Sequence, residues 1–122
     1  LKGLGSSWTR TFITWVLNTY QLTWRIIVTP EKKVKNQVVS ILKAHGAYYF
    51  YPVTGGYGAS GVPDIVGCYK GRFFAIECKA GKNKPTPLQQ KNLDSIKAMG
   101  GIAMVINEDN THEVYWRLDG TP

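Results

Sequence analysis

The chain has 122 residues, enough for one domain with a core of its own. Its hydrophobic fraction of 43% suits a folded domain and is far from that of a membrane protein. Fifteen Lys and Arg against eight Asp and Glu leave a net charge of +7. That excess favours a polyanionic partner, nucleic acid first, with solubility alone as the plainer reading.

Residues 1–10 contain Gly and Ser and read as loose. Residues 11–28 are rich in aromatic and β-branched types. The first part, residues 11–24, carries no charge, yet with Asn18, Gln21 and several Thr it is too short and too polar to span a membrane. No small-residue cleavage site follows, so it does not read as a secretory signal. Tyr20, Leu22, Trp24, Ile26 and Val28 alternate with Gln21, Thr23 and Arg25, which is a strand period. A hairpin turning near Asn18-Thr19 is expected, making residues 1–28 a β-rich N-terminal extension that packs on the core or serves as a dimer surface.

Thr29-Pro30-Glu31 reads as a helix start, with an N-cap, a first-position Pro and a first-turn acid. Val34, Val38, Ile41 and Leu42 form its apolar stripe, and His45-Gly46 closes it. Residues 47–53, with three Tyr and one Phe, read as a strand. A Gly-rich loop, residues 54–61, then leads directly into Val62-Pro63-Asp64.

The next segment is a hairpin. Two apolar runs flank Lys70-Gly71, a two-residue turn favoured by Gly at its second position. Tyr69 then pairs with Arg72, and the same register carried along both strands sets Asp64 opposite Glu77. Directly opposed Cβ atoms lie about 5 Å apart, and like charges there repel. A cation between them would convert that penalty into a binding site. Lys79 follows Glu77 by two residues, on the same face and roughly 6–7 Å along the strand. Only eight acids exist in the chain, so two placed face to face in an apolar hairpin do not read as surface decoration.

In this register Cys68 shares a face with the acids and Cys78 points the other way, so the two cannot form a disulfide. Neither His45 nor His112 has zinc-like spacing to them. His45 is expected at a helix C-terminus and His112 at the surface. The cysteine usage fits a reducing compartment, and the chain reads as soluble and intracellular.

Residues 80–85 form a basic loop. Thr86-Pro87-Leu88-Gln89 is a second helix start with a capping-box pattern, followed by Leu93, Ile96 and Met99 and stopped by Gly100-Gly101. Residues 102–106 are continuously apolar, hence a strand buried on both faces, residues 107–110 are a turn, and residues 114–118 are expected to be a last strand. The expected fold is a small mixed β-sheet flanked by helices, with one α/β domain over residues 29–122.

Gly61-Val62-Pro63-Asp64 followed by Glu77-Cys78-Lys79 resembles the PD-(D/E)XK nuclease superfamily. With Glu31 opening the preceding helix, a Gly-rich loop before Pro-Asp and Gln90 on the following helix, the set resembles the VRR-NUC family, the virus-type replication and repair nucleases. The likeness covers roughly residues 30–106. It implies a restriction-endonuclease-like core of order αβββαβ and a Mg²⁺- or Mn²⁺-dependent endodeoxyribonuclease. Asp64, Glu77 and the backbone carbonyl of Cys78 would hold the ion, with Glu31 reaching it through water or helping to hold a second. Lys79 would position the attacking water, and Gln90 would orient the site or the scissile phosphate. The family also implies 5′-phosphate and 3′-hydroxyl products, branched DNA such as Holliday junctions as substrate, a homodimer, a DNA-repair role, and a virus- or prophage-encoded protein acting in the cytoplasm of a host cell.

From the sequence itself, Lys32, Lys33, Lys35, Lys70, Arg72, Lys82, Lys84 and Lys91 are candidates for phosphate contacts, and Tyr57 for stacking. Plainer readings stand beside these. Asp64 is also a turn acid, Glu31 a dipole-favoured first-turn acid, Lys79 a strand lysine and Gln90 a solvated helix residue. Two further functional readings stay open: a nuclease for flaps, nicks or plain duplex, restriction-like, and a basic DNA-binding module without catalysis.

Overall fold

The computed structural model describes residues 8–54, 56 and 58–120, of which residues 20–27 are described by backbone alone. Its elements are α1 (Trp8–Ile27), α2 (Pro30–His45), β1 (Tyr48–Phe50), β2 (Ile65–Tyr69), β3 (Arg72–Cys78), α3 (Pro87–Ala98), β4 (Ile102–Ile106) and α4 (His112–Leu118). The four strands form one sheet in the order β1-β2-β3-β4. The first two pairings are antiparallel, and β3 and β4 are parallel. Parallel neighbours need a crossover, which α3 supplies.

The hairpin register is the expected one. Tyr69 pairs with Arg72 and Ile65 with Ile76. The turn places Lys70 at φ 49° and Gly71 at φ 80°, two consecutive positive values that match the twist of the flanking strands. On β2, Gly67 is required by its neighbours: a Cβ there would run into the Tyr48 carbonyl and the Phe74 ring. Its missing side chain lets β1 close onto the hairpin.

Alternation along the strands splits the sheet into two faces. Ile65, Phe74, Ile76, Cys78, Ile102, Met104 and Ile106 form one buried cluster with Val34, Val38 and Leu42 of α2 and Val114 and Leu118 of α4. Each such Val, Leu or Ile side chain contributes about 1.5–3 kcal/mol by leaving water. Phe73, Ala75 and Glu77 lie on the second face, where Leu93 of α3 is also buried. This second face is open near the hairpin turn, where Tyr48, Cys68 and Phe73 are exposed. The hairpin is therefore buried on both faces at its acidic end and on one face at its turn.

The helix caps are realised as read, but Met99, expected on the apolar stripe of α3, instead follows the helix as its C-cap and is exposed. The Thr29 hydroxyl accepts from the Lys32 N–H, and Gly46 closes α2 in the left-handed region. Thr86 and Gln89 form the reciprocal capping box of α3.

Two expected elements change type. The β-hairpin expected within residues 11–28 is instead helix α1. Asn18-Thr19 lacks the Gly that a tight reversal needs, and no Gly or Pro interrupts the segment. The threonines find helical partners: Thr14 Oγ1 donates to the Arg10 carbonyl and Thr19 Oγ1 to the Trp15 carbonyl, each at 2.8 Å. The strand expected over residues 114–118 is instead helix α4. Val114 and Leu118, four apart, are buried, while Trp116 between them is half exposed; a strand would bury all three together.

Candidate metal centre

Three elements meet where the hairpin ends. Pro63 is buried and delivers Asp64 to the end of β2. Glu77 lies one residue from the end of β3 and is 1% exposed. Glu31 sits in the first turn of α2, exposed. One carboxylate oxygen from each of these residues lies within 4.8 Å of the other two. The Asp64 carboxylate is fixed by the Cys78 backbone, whose N–H donates to Oδ2 at 2.9 Å. Strand β3 is itself pinned at this point, since the Lys79 N–H donates to the Ile106 carbonyl at 2.9 Å.

The electrostatics are unfavourable as they stand. Two unit charges at this separation repel by about 3.5 kcal/mol at an effective dielectric constant of about 20. One ammonium offsets part of that: Lys79 Nζ is 3.2 Å from Glu77 Oε1. The other oxygen, Glu77 Oε2, is buried with no hydrogen-bond partner. Burial, and then the Asp64 charge, push the Glu77 carboxyl up to about 7 against the pull of Lys79. The same burial pushes the Cys78 thiol up to about 12, so it stays protonated and takes no nucleophilic part. Clustered carboxylates with an orphaned buried oxygen form a donor set that fits a hard divalent cation.

The sequence pattern of the archaeal Holliday junction resolvase family (Hjc) matches residues 31–103, a span that holds all three acids and Lys79. The chain belongs to the Hjc family. Its backbone is also similar to a solved structure described as a VRR_NUC domain protein. The TM-score is 0.56 at 20% identity, over 74% of this chain and 90% of that one. That likeness shows the shared nuclease fold, in line with the resemblance of the motif. No curated protein matches the chain.

The other site candidates of this Hjc-family chain are spread more widely. Gln90 lies exposed in the first turn of α3, where its amide donates to Asp94 Oδ1 at 2.9 Å. Lys32 and Lys33 are exposed beside Glu31, and the Lys35 ammonium lies 4.3 Å from the centre of the Tyr51 ring. Lys82, Lys84 and Lys91 are exposed on the loop and helix that follow the Lys79 strand end. Lys70 and Arg72 stand at the hairpin turn, the opposite end of β3 from Glu77. Tyr57 falls outside the described residues.

Sequence reasoning missed Asn92. Its Nδ2 lies within 3.0–3.1 Å of the carbonyls of Ser60, Gly61 and Leu88 and ties the Gly-rich loop to α3. Gly61, at φ 72°, has no room for a Cβ against Leu88, so loop and helix are in direct contact just before Pro63-Asp64. Glu108 was missed too. Both its oxygens accept from the Gly81 N–H, which holds the basic loop and lowers the Glu108 carboxyl below its usual range. A lone Asn on a polar helix face and an acid in a turn carry no local signal of such long-range contacts.

Proposed function

We propose that this protein is a divalent-metal-dependent, structure-selective DNA endonuclease that cuts four-way junctions as a homodimer. The observation that carries the reading is the convergence of Glu31, Asp64 and Glu77 within 4.8 Å, with the Lys79 ammonium 3.2 Å from Glu77. Family membership supports a nuclease acting on branched DNA.

Asp64, Glu77 and the Cys78 carbonyl would hold Mg²⁺ or Mn²⁺, with Glu31 reaching it through water or helping to hold a second ion. Such an ion supplies Lewis-acid activation of water and phosphodiester. The protein's own groups do the rest. Asp64 immediately precedes β2, Glu77 lies in β3, and the Cys78 N–H ties the Asp64 carboxylate to β3, so their spacing is set largely by the paired strands. Lys79 orients the attacking water and stabilises charge building on the phosphate. Water adds to phosphorus in line, the bond to the 3′ oxygen breaks, and that oxygen takes a proton to leave as a 3′-hydroxyl beside a 5′-phosphate. Gln90 would turn from Asp94 toward the scissile phosphate. Lys32, Lys33, Lys35, Lys82, Lys84 and Lys91 would track phosphates on either side of the cut.

The dimer reading rests on α1, which exposes Trp8, Phe12, Ile13, Trp15 and Leu17. A second copy is the occupant that a junction with two equivalent strands calls for. Among the described residues no helix is long and apolar enough to cross a membrane. The test is a panel of linear, flapped, nicked and four-way DNA with Mn²⁺, Mg²⁺ or EDTA. Metal-dependent cutting that favours the four-way substrate is expected. Preference for plain duplex overturns the junction assignment, and cutting in EDTA overturns the metal.

A further inference from the structure

The end of the sheet remote from the acids carries a second charged feature. A cleft of about 220 Å³ opens where β3 and β4 begin, lined by Arg72, Lys97, Arg117, Gly101 and Gly120 among others. Its cations come from three elements on both sides of the sheet: Arg72 from β3, Lys97 from the last turn of α3 and Arg117 from the last turn of α4. All three are exposed, and among the described residues no acid lines the cleft. The nearest acid in sequence to Gly120 is Asp119, whose carboxylate is occupied by the Tyr69 hydroxyl at 3.4 Å and His45 Nε2 at 3.5 Å.

The plainer account is that Lys97 and Arg117 only offset the negative ends of their helices. Magnitudes argue against it. Each helix C-terminus is equivalent to about half a negative charge, and less for a helix as short as α4. Two such ends cancel about one of the three positive charges. Arg72 Nε reaches the Gly100 carbonyl at 3.4 Å, a long contact that places the guanidinium without neutralising it. About two positive charges are left over by the two helix ends, around a space with room for a phosphate group.

We propose that this cleft seats a backbone phosphate of the substrate DNA, at a point remote from the cut. The inference rests on the DNA-cleaving reading above and adds to it a second anchoring point. The separation is fixed by β3. Arg72 and Glu77 are five residues apart on one strand, roughly 17 Å at about 3.3–3.4 Å per residue. That is about five base steps of a single strand. A phosphate held at the cleft sets the direction in which DNA leaves the acidic cluster.

The experiment measures binding of a four-way junction in EDTA, as a function of salt, for the parent and for Lys97→Gln/Arg117→Gln. Thermal melting checks that both are folded. The salt slope of the double variant is expected to be shallower by about one to two, with affinity several-fold weaker. Single methylphosphonate linkages, which remove one backbone charge, are then moved along the strand from three to eight positions from the cut. One position near five is expected to weaken the parent and leave the variant unaffected. Titration with inorganic phosphate and with ATP separates a free-phosphate site from a DNA contact. Tight binding of either ligand, lost in the variant with the DNA slope unchanged, overturns the proposal. Equal slopes and equal methylphosphonate profiles also overturn it, even for a protein that cuts junctions well. A protein that shows the slope change but cuts no DNA keeps the cleft and loses the nuclease reading.

Discussion

The backbone N–H of Cys78 donates to Asp64 Oδ2 at 2.9 Å, so one strand of the hairpin holds the acid carried by the other. The contact fixes the Asp64 carboxylate without using its second oxygen. It also separates charge from geometry. In Asp64→Asn the amide oxygen can still accept from Cys78, while the negative charge is gone. The variant is expected to melt within a few degrees of the parent and to lose at least about 100-fold in junction cleavage, a loss typical for a group that stabilises a transition-state charge. Lys79→Ala is expected to lose a similar factor. Gel-based cleavage rates beside melting curves decide both, and full activity in the two variants would remove this centre as the catalytic one.

Glu77 makes the ion-free protein sensitive to pH in an unusual direction. Its folded-state carboxyl is raised to about 7 from an ordinary 4.5, so between these values the native state holds a proton that the unfolded chain has released. Stability contributed by this group is therefore full below pH 4.5 and is lost as pH rises to 7. The loss amounts to a few kcal/mol at most, at about 1.4 kcal/mol per pH unit. A cation that displaces the proton reverses it, so the melting-point gain from added Mn²⁺ is expected to be larger at pH 8 than at pH 5.5. Glu77→Gln removes the buried charge. It is expected to raise the EDTA melting point at pH 8 and to abolish the Mn²⁺ gain. A Mn²⁺ shift of equal size in Glu77→Gln and the parent would place the ion elsewhere.

The register of this centre was legible because it depends on a local rule. Lys70-Gly71 favours a tight reversal, and that reversal dictates which residues face each other as far as Ile65 and Ile76, the neighbours of Asp64 and Glu77. Helix ends at Thr29, Gly46 and Thr86 were legible for the same reason: caps are chosen by neighbours in sequence. The misreadings came where two periods compete. Tyr20 to Val28 alternates like a strand, but a segment of Thr and aromatic residues without Gly or Pro also satisfies a helix, and α1 is the outcome. Val114 and Leu118 fit both periods, and the half-exposed Trp116 between them distinguishes helix from strand. Charge balance announced a polyanion, but not that Lys70 and Arg72 stand at the far end of the sheet from the acids, nor that Lys97 and Arg117 join Arg72 there.

Asn92 tests whether the Gly-rich loop must be held for the centre to work. Its amide lies against three carbonyls, two of them immediately before Val62-Pro63-Asp64. Asn92→Ala leaves those carbonyls to water. A stability loss of about 1–2 kcal/mol is expected from the missing hydrogen bonds. Cleavage is expected to fall about tenfold, the lower end of what losing a supporting contact costs. Asn92→Asp keeps the size but replaces the donor with an acceptor facing carbonyl oxygens, so it is expected to be worse than Ala in both measurements. Unchanged protease sensitivity of the loop in both variants would mean that Asn92 does not hold it.

Helix α1 separates the assembly question from the chemistry. Phe12 and Trp15 touch each other, with ring centres 6.4 Å apart, and are 65% and 64% exposed, so neither stabilises the folded domain by burial. If a second copy covers them, charge placed there should split the dimer and leave the domain folded. Phe12→Lys/Trp15→Lys is expected to run as a monomer in light scattering, while the parent runs as a dimer at micromolar concentration. Its melting point should then lose its dependence on protein concentration, because only an assembly makes melting concentration-dependent. The cleavage pattern reports on the same point: a parent dimer cuts both strands of a junction in one encounter, and the monomeric variant is expected to release nicked junction first. A parent that is monomeric at these concentrations, with paired cuts intact, would remove α1 from the assembly and leave the acidic cluster to act alone.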